Sequence, residues 1–370
     1  MTDDAAGDVS VGFWHAIEGG KIQCDLCPRY CHLSDGQRGL CFVRARKGDG
    51  MVLTSYGRSS GFCIDPIEKK PLNHYYPGTP VLSFGTAGCN LACKFCQNWD
   101  ISKSRDIDAL AAMASPEKIA STALELGCEQ IAFTYNDPVI FLEYARDTAA
   151  ACREAGIRTV AVTAGYICPE PRAQFFQFID ATNIDLKAFD AEFYHRICGG
   201  RLDAVLETIA YVHRETDVWM ELTTLLIPGH NDSEAEIARL AEWVLTELGP
   251  DVPLHFSAFH PDWKMRDVPP TPPATLRRAR AQAMAAGLNY VYTGNVHDRD
   301  GDTTWCAACG TALIERDWYD ITGWRLGHDG ACRRCGARLP GHFHDQPGTW
   351  GRRQQFVPMP AGGRATAADP

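Results

Sequence analysis

Residues 81–96 read Val81-Leu-Ser-Phe-Gly-Thr-Ala-Gly-Cys89-Asn-Leu-Ala-Cys93-Lys-Phe-Cys96. The apolar start, ending in glycines, predicts a strand at about 81–86, and the loop after it carries three cysteines spaced C-x3-C-x2-C. Three thiolates without an evident fourth ligand suit an iron–sulfur cluster with one open iron, because closed structural zinc takes four. Working outward, short apolar runs recur at about 130–135, 157–162, 181–187, 217–226, 253–259 and 289–293, with helical stretches between them. The helix near 116–126 has Ser115 as its cap, Pro116 in its first turn and Gly127 after its end; the one near 139–155 is closed by Gly156. Strand and helix in alternation predict an α/β fold with a parallel sheet, curled into a full or partial (β/α) barrel. An open doubly wound sheet is the competitor. The barrel is preferred because polar and cysteine-bearing segments follow strand after strand, as they must when loops converge on one rim.

The composition sets the limits of this reading. With 370 residues, 45% hydrophobic and 22% charged, the chain has material for one large domain with appendages or for two domains, which excludes wholesale disorder. The 36 Lys and Arg against 46 Asp and Glu give a net charge of -10, the wrong sign for gripping a phosphate backbone, so no nucleic-acid partner is expected. The opening MTDDAAGDVS is acidic where a secretory signal is basic, and no apolar run approaches about 18 residues. A cytoplasmic protein without membrane contact is expected, with its sixteen cysteines reduced and available to metals.

Two further cysteine sets flank the barrel. Cys306-x2-Cys309, 22 intervening residues, then Cys332-x2-Cys335 match the two knuckles of a zinc ribbon, each followed by a glycine, Gly310 and Gly336. The ligands point to zinc, with rubredoxin-type iron as the chemical alternative. Near the start, Cys24-x2-Cys27-x3-Cys31-x9-Cys41 supplies four more thiolates. Zinc and a second iron–sulfur cluster both fit there, with the balance toward zinc or another structural role. The expected organisation is a flexible N-terminus (1–20), a cysteine-rich segment (21–80), the barrel (81–300), the ribbon-like segment (301–345) and a Pro/Gly/Ala/Arg-rich disordered tail (346–370).

The central motif, with the aromatic Phe95 just before its third cysteine, resembles the signature of the radical S-adenosylmethionine (radical SAM) superfamily. The resemblance implies a [4Fe-4S] cluster on Cys89, Cys93 and Cys96, and S-adenosylmethionine chelated at the open iron. It implies reductive cleavage of that cofactor to a 5′-deoxyadenosyl radical, which abstracts a hydrogen atom. The rest of the rim is read against that task. After the second strand, Thr134-Tyr-Asn136-Asp137-Pro138 stands where many relatives carry Gly-Gly-Glu-Pro; Asn136 and Asp137 retain acceptors for an ammonium, while a turn at Asn-Asp-Pro is the plain alternative. After the third, Thr163-Ala-Gly-Tyr166 replaces the relatives' Thr-Asn-Gly. Asp185 and Lys187 fall on the same face of the fourth strand and form a candidate clamp for a zwitterionic ligand. The segment His255-Phe-Ser-Ala-Phe-His260 ends in a histidine resembling one near S-adenosylmethionine in glycyl-radical activating enzymes.

The likeness extends along residues 21–344. The segment Asp65-Pro-Ile-Glu-Lys-Lys-Pro-Leu-Asn-His74, the N-terminal cysteines, Glu221-Leu-Thr-Thr-Leu-Leu-Ile-Pro-Gly-His-Asn-Asp232, Tyr292-Thr-Gly-Asn-Val296 and the ribbon together resemble the radical SAM enzyme of the AmmeMemoRadiSam system, related to pyruvate formate-lyase activating enzymes. This implies a reductant protein such as flavodoxin or ferredoxin, and AMMECR1-type and Memo-type proteins as partners. The expected function is an oxidoreductase abstracting hydrogen from a protein or peptide substrate. A glycyl-radical enzyme activase and a non-catalytic metal-binding scaffold are the alternatives. The run Glu68-Lys69-Lys70 is either a solvated charge cluster or a rim element that meets the substrate.

Overall fold

The computed structural model describes residues 7–104 and 112–359. Its central sheet comprises β1 (Arg58–Pro66), β2 (Pro80–Gly85), β3 (Gln130–Phe133), β4 (Arg158–Thr163), β5 (Ala181–Asp185), β6 (Trp219–Leu226), β7 (Leu254–Ala258) and β8 (Val291–Gly294). β1 lies antiparallel to β2, and β2 to β8 follow side by side in chain order, every pair parallel. A doubly wound sheet would reverse its strand order at a switch point, and this one does not. The hydrogen-bonded path does not return from β8 to β1, so among the described residues the sheet is open.

The crossovers carry α1 (Pro116–Glu125), α2 (Leu142–Glu154), α3 (Pro169–Phe176), α4 (Leu202–Glu215), α5 (Glu234–Leu248) and α6 (Pro273–Ala285). The Ser115 side chain accepts from the Lys118 amide and Ser233 from that of Glu236, caps worth about 1 kcal/mol each. Right-handed crossovers between strands added in one direction bring the helices to one face. The other face stays free for polar side chains. On it, the Glu221 carboxylate on β6 accepts from the Asn73 and His74 amides at 3.0 and 2.8 Å, and from His255 Nε2 on β7 at 2.7 Å. Asn183 Nδ2 on β5 donates to the Pro71 carbonyl at 2.8 Å, so the segment after β1 is tied onto that face.

The charge run at 68–70 is mostly enclosed, with Glu68 and Lys70 buried and Lys69 exposed. Asp65, fully buried, accepts from Lys69 Nζ at 2.9 Å and from Lys70 Nζ at 2.7 Å, and Lys70 is itself buried. Burial pushes the Asp65 carboxyl up, but Lys70 and then Lys69 outweigh it and hold it below the usual carboxylate value. This contribution is present above the unfolded carboxylate value and is lost as pH falls through the lowered one. Asp65→Asn strands the Lys70 ammonium in the interior and should cost about 3–5 kcal/mol. Urea unfolding at pH 7 checks this, and an unchanged midpoint would remove the pair from the fold's supports.

Both ends of the chain differ from expectation. Within 1–20, expected to be flexible, Gly7–Ser10 pairs with Gly50–Tyr56 and Trp14–Ile17 with Lys21–Cys24. Within 346–370, expected to be disordered, residues 346–359 are built into the fold, while 360–370 lie outside the described residues, as do 1–6. The Gly348 amide donates to the Pro77 carbonyl at 2.9 Å and that of Trp350 to Gly78 at 3.0 Å. Gly78 has φ +78°, and a Cβ on it would run into the Gly348 backbone. The glycines that suggested disorder here permit two backbones to touch. Gln355–Phe356 then pairs with Ile64 and Cys63 on the outer margin of β1, whose start is paired by Ala112–Met113.

Candidate functional site

Loops at the C-terminal ends of the parallel strands converge on one cavity of about 430 Å³. Cys89, Cys93, Phe95 and Cys96 line it from the loop after β2, Asn136 and Asp137 from the loop after β3, and Asp185 and Lys187 from the end of β5. His255 and Ser257 line it from β7, and Thr293 and Asn295 from the end of β8. The volume lies in the range typical of sites for small-molecule ligands.

The cysteine loop is anchored on several sides. Ala92 and Lys94 donate to the carbonyls of Cys198 and Ile197, in the single π-helical turn Tyr194–Cys198, at 2.8 and 3.0 Å. Such turns are frequent at functional sites. Lys103 Nζ donates to the Leu91 carbonyl at 2.9 Å, and Cys96 Sγ meets Ser102 Oγ at 2.9 Å. The three thiols are in no disulfide. The Cys198 thiol, hydrogen-bonded to Cys93, with Lys187 and Lys103, holds the Cys93 thiol down at about 6 against its burial. Burial pushes Cys89 up to about 11 and raises Cys96. Three unpaired thiols on one anchored loop, facing space that continues past a lysine, fit a cluster with one open iron and a ligand beside it.

Asp185 and Lys187 share a face and form an ion pair at 2.8 Å. Burial alone would lower the Lys187 ammonium; Asp185 and Cys93 reverse this and hold it well above the usual lysine value, so it stays charged. Lys187 Nζ also stands 5.9 Å from the Phe95 ring centre. A permanent cation with an adjacent carboxylate matches the two charges of an amino-acid end group.

Asn136 and Asp137 line the cavity but are largely committed to the backbone. Asn136 Oδ1 accepts from Thr86 N at 3.1 Å while its Nδ2 donates to the Gly88 carbonyl at 2.7 Å, bracing the lead-in to Cys89. The Asp137 carboxylate accepts from Val139 N and Ala164 N, each at 3.1 Å, and from Thr163 Oγ1 at 2.9 Å. Burial nonetheless raises it to about 6. The turn reading thus accounts for their contacts. His260 is exposed and does not line the cavity. β7 ends at Ala258, and positions 255 and 260 differ by an odd number, so alternation along the chain separates them. His255 is the histidine that faces the cavity.

The far wall was not foreseen. It comes from the ribbon-like unit Thr304–Trp305, Ala312–Asp317 and Asp320–Trp324, which contributes Arg316, Trp318 and Tyr319. Arg316, 1% exposed, donates to the Asn73 carbonyl at 2.7 Å and to Thr304 Oγ1 at 2.9 Å, and lies 3.7 Å from the Glu68 carboxylate. Desolvation pushes neighbouring Asp302 up to about 7, so this wall holds a carboxyl that changes charge near neutral pH. Behind it, Cys306 and Cys335 Sγ are 3.6 Å apart and Cys309 and Cys332 Sγ 3.7 Å. All four sulfurs lie within 4.8 Å of one another, the only such group found among the described residues. Tetrahedral zinc with bonds of about 2.3 Å would space its thiolates by about 3.8 Å. Among the described residues no helix is long and apolar enough to cross a membrane.

A strand-loop cluster of three thiols beside a charged clamp, on a sheet wound in one direction, defines a class, and sequence comparison agrees. The profile of the Radical SAM superfamily matches residues 84–241, and the chain belongs to that superfamily. Over 328 residues it is 39% identical to an uncharacterized protein of Methanocaldococcus jannaschii, spanning 88% of this chain and 97% of that one. It is 22% identical over 173 residues to pyruvate formate-lyase 1-activating enzyme of Escherichia coli, 45% of this chain and 69% of the relative. A solved domain of pyruvate-formate lyase-activating enzyme from Bacteroides vulgatus aligns at a TM-score of 0.39 with 20% identity, over 44% of this chain and 98% of that one.

Proposed function

We propose that this chain is a cytoplasmic radical SAM oxidoreductase that abstracts hydrogen from a protein or peptide substrate. Reduction comes from flavodoxin or ferredoxin, and the AMMECR1-type and Memo-type proteins of the AmmeMemoRadiSam system are its partners. The observation that carries the reading is the placement of Cys89, Cys93 and Cys96 with the Asp185–Lys187 pair around one cavity. Cys89, Cys93 and Cys96 would hold a [4Fe-4S] cluster, which would supply the electron for reductive cleavage of S-adenosylmethionine. The chain's residues do the rest. Lys187 and Asp185 hold the methionyl end, Asn136 keeps the thiol loop in register, and Phe95 packs beside the lysine. The ribbon wall, whose cysteines hold zinc in this reading, encloses the side where substrate arrives, keeping water from the radical.

Anaerobic reconstitution, dithionite reduction with S-adenosylmethionine and chromatography for 5′-deoxyadenosine test the reading. Product is expected, and none from a fully loaded cluster, with candidate substrates supplied, would overturn it. Lys187→Ala should weaken S-adenosylmethionine binding about tenfold or more, at least 1.4 kcal/mol, with little change in the unfolding midpoint. Equilibrium dialysis showing unchanged affinity would release Lys187 from this role. Similarity to activating enzymes, among them that of choline trimethylamine-lyase from Oleidesulfovibrio alaskensis, 28% identical over 102 residues, favours a glycyl-radical activase as second reading. It requires a stable glycyl radical on a partner enzyme, detected by electron paramagnetic resonance after mixing.

A further inference from the structure

The four N-terminal cysteines converge in a way unlike the ribbon. Cys24, Cys27, Cys31 and Cys41 all line one small cavity of about 20 Å³, closed by Leu26, Ile140 and the buried Arg44. They come from the end of the strand Lys21–Cys24 and the loops around the strand His32–Leu33. No three of their sulfurs lie within 4.8 Å of one another, whereas all four of the ribbon's do. Thiolates on one ion must approach to about 3.8 Å, and so must the two on each iron of a [2Fe-2S] cluster. A cuboidal cluster binds each thiolate at a separate corner, so its ligands stand further apart while facing one centre.

Charge supports an anionic occupant. Arg44 is 1% exposed and bonds through Nε to the Ile140 carbonyl and through Nη2 to Glu143, yet its Nη1 has no partner. Arg29, on the same cavity, donates Nε to the Asn90 carbonyl at 2.9 Å and leaves a buried Nη2 unpartnered. Two cations, each with one unpartnered buried nitrogen, line the pocket together with the four thiols and Asn90. A buried unpaired donor is costly, and the sulfurs of a cluster dianion accept from both. The site also adjoins the radical centre: Asn90 lines this cavity and follows Cys89 in sequence, and a Cβ on Gly88, at φ +88°, would run into the Cys41 carbonyl.

We infer that Cys24, Cys27, Cys31 and Cys41 hold a second [4Fe-4S] cluster, closed by four thiolates, against the wall of the first. Metal counting on the full chain after anaerobic reconstitution tests this. Wild-type protein should carry about eight irons and eight sulfides with one equivalent of zinc. About four irons with two zincs, or with no second metal, would overturn the inference even in protein that cleaves S-adenosylmethionine, so it stands or falls apart from the proposed reaction. The Cys89→Ala/Cys93→Ala/Cys96→Ala variant should keep about four irons and, on reduction, give a paramagnetic signal that S-adenosylmethionine does not shift. Adding Cys27→Ser and Cys31→Ser should remove that signal; its persistence would assign the iron elsewhere. Should the variants not fold, Mössbauer spectra of wild-type protein decide: two cuboidal populations are expected, and a single one refutes the second cluster.

Discussion

Cys93→Ala, reconstituted and reduced beside the wild type, should form 5′-deoxyadenosine only at background, a loss of at least about a hundredfold, ~2.7 kcal/mol or more of barrier. Cys93 is 7% exposed, hydrogen-bonded to Cys198 and under the field of Lys187, so its thiolate is the most stabilised of the three. Alanine removes a cluster corner and leaves Lys187 facing one anion fewer. Cys128→Ala is the matched control: Cys128 is buried outside all three cysteine sets, and the rate should persist at the cost of about 1 kcal/mol or less of packing. Activity near the wild-type level in Cys93→Ala would remove the loop from the chemistry and favour a metal-binding scaffold.

The ribbon should respond in the opposite sense. Cys309→Ser with Cys332→Ser opens a site whose sulfurs already stand at tetrahedral spacing, and structural zinc in small units supplies apparent folding energies of about 10–16 kcal/mol. The expected result is loss of one zinc, collapse of amide-exchange protection across 304–339, and a lower unfolding temperature, with the iron content unchanged. Because Arg316, Trp318 and Tyr319 form part of the cavity wall, opening this unit should also admit water to the radical site. Background 5′-deoxyadenosine formation then persists while transfer to substrate falls. Equal loss of iron and zinc would mean that the ribbon and the iron sites fold as one.

How much of this was legible in the chain follows from how local each signal is. Seven parallel strands fall within two residues or so of the apolar runs, because the face of each strand that packs under the helices needs apolar residues along its whole length. Ser115 caps its helix as its position before Pro116 and the apolar run predicted. Asp185 and Lys187 share a face because alternation is a property of two residues. The histidine was misplaced because the last residue of β7 sets which of His255 and His260 turns inward, and strand ends carry little signal. Arg316, Trp318 and Tyr319 are about 230 residues from Cys89, and nothing in their own segment reveals what they pack against. Asp65 binding Lys69 and Lys70 was hidden for another reason: a charge run looks the same whether water or a carboxylate neutralises it.

The pairing of Ala112–Met113 and Gln355–Phe356 along β1 has a consequence for self-association. An open sheet has a free margin, and nine residues of unpaired backbone at Arg58–Pro66 would be a template for a strand from a second copy. The chain covers that margin piecewise, near 57–59 with one segment and near 62–64 with the other, where the Val357 amide also reaches the Phe62 carbonyl at 3.0 Å. Stacking of copies through β1 therefore requires these two patches to peel away first, and the resistance to fibre-like growth along this margin resides in a few residues of two short segments.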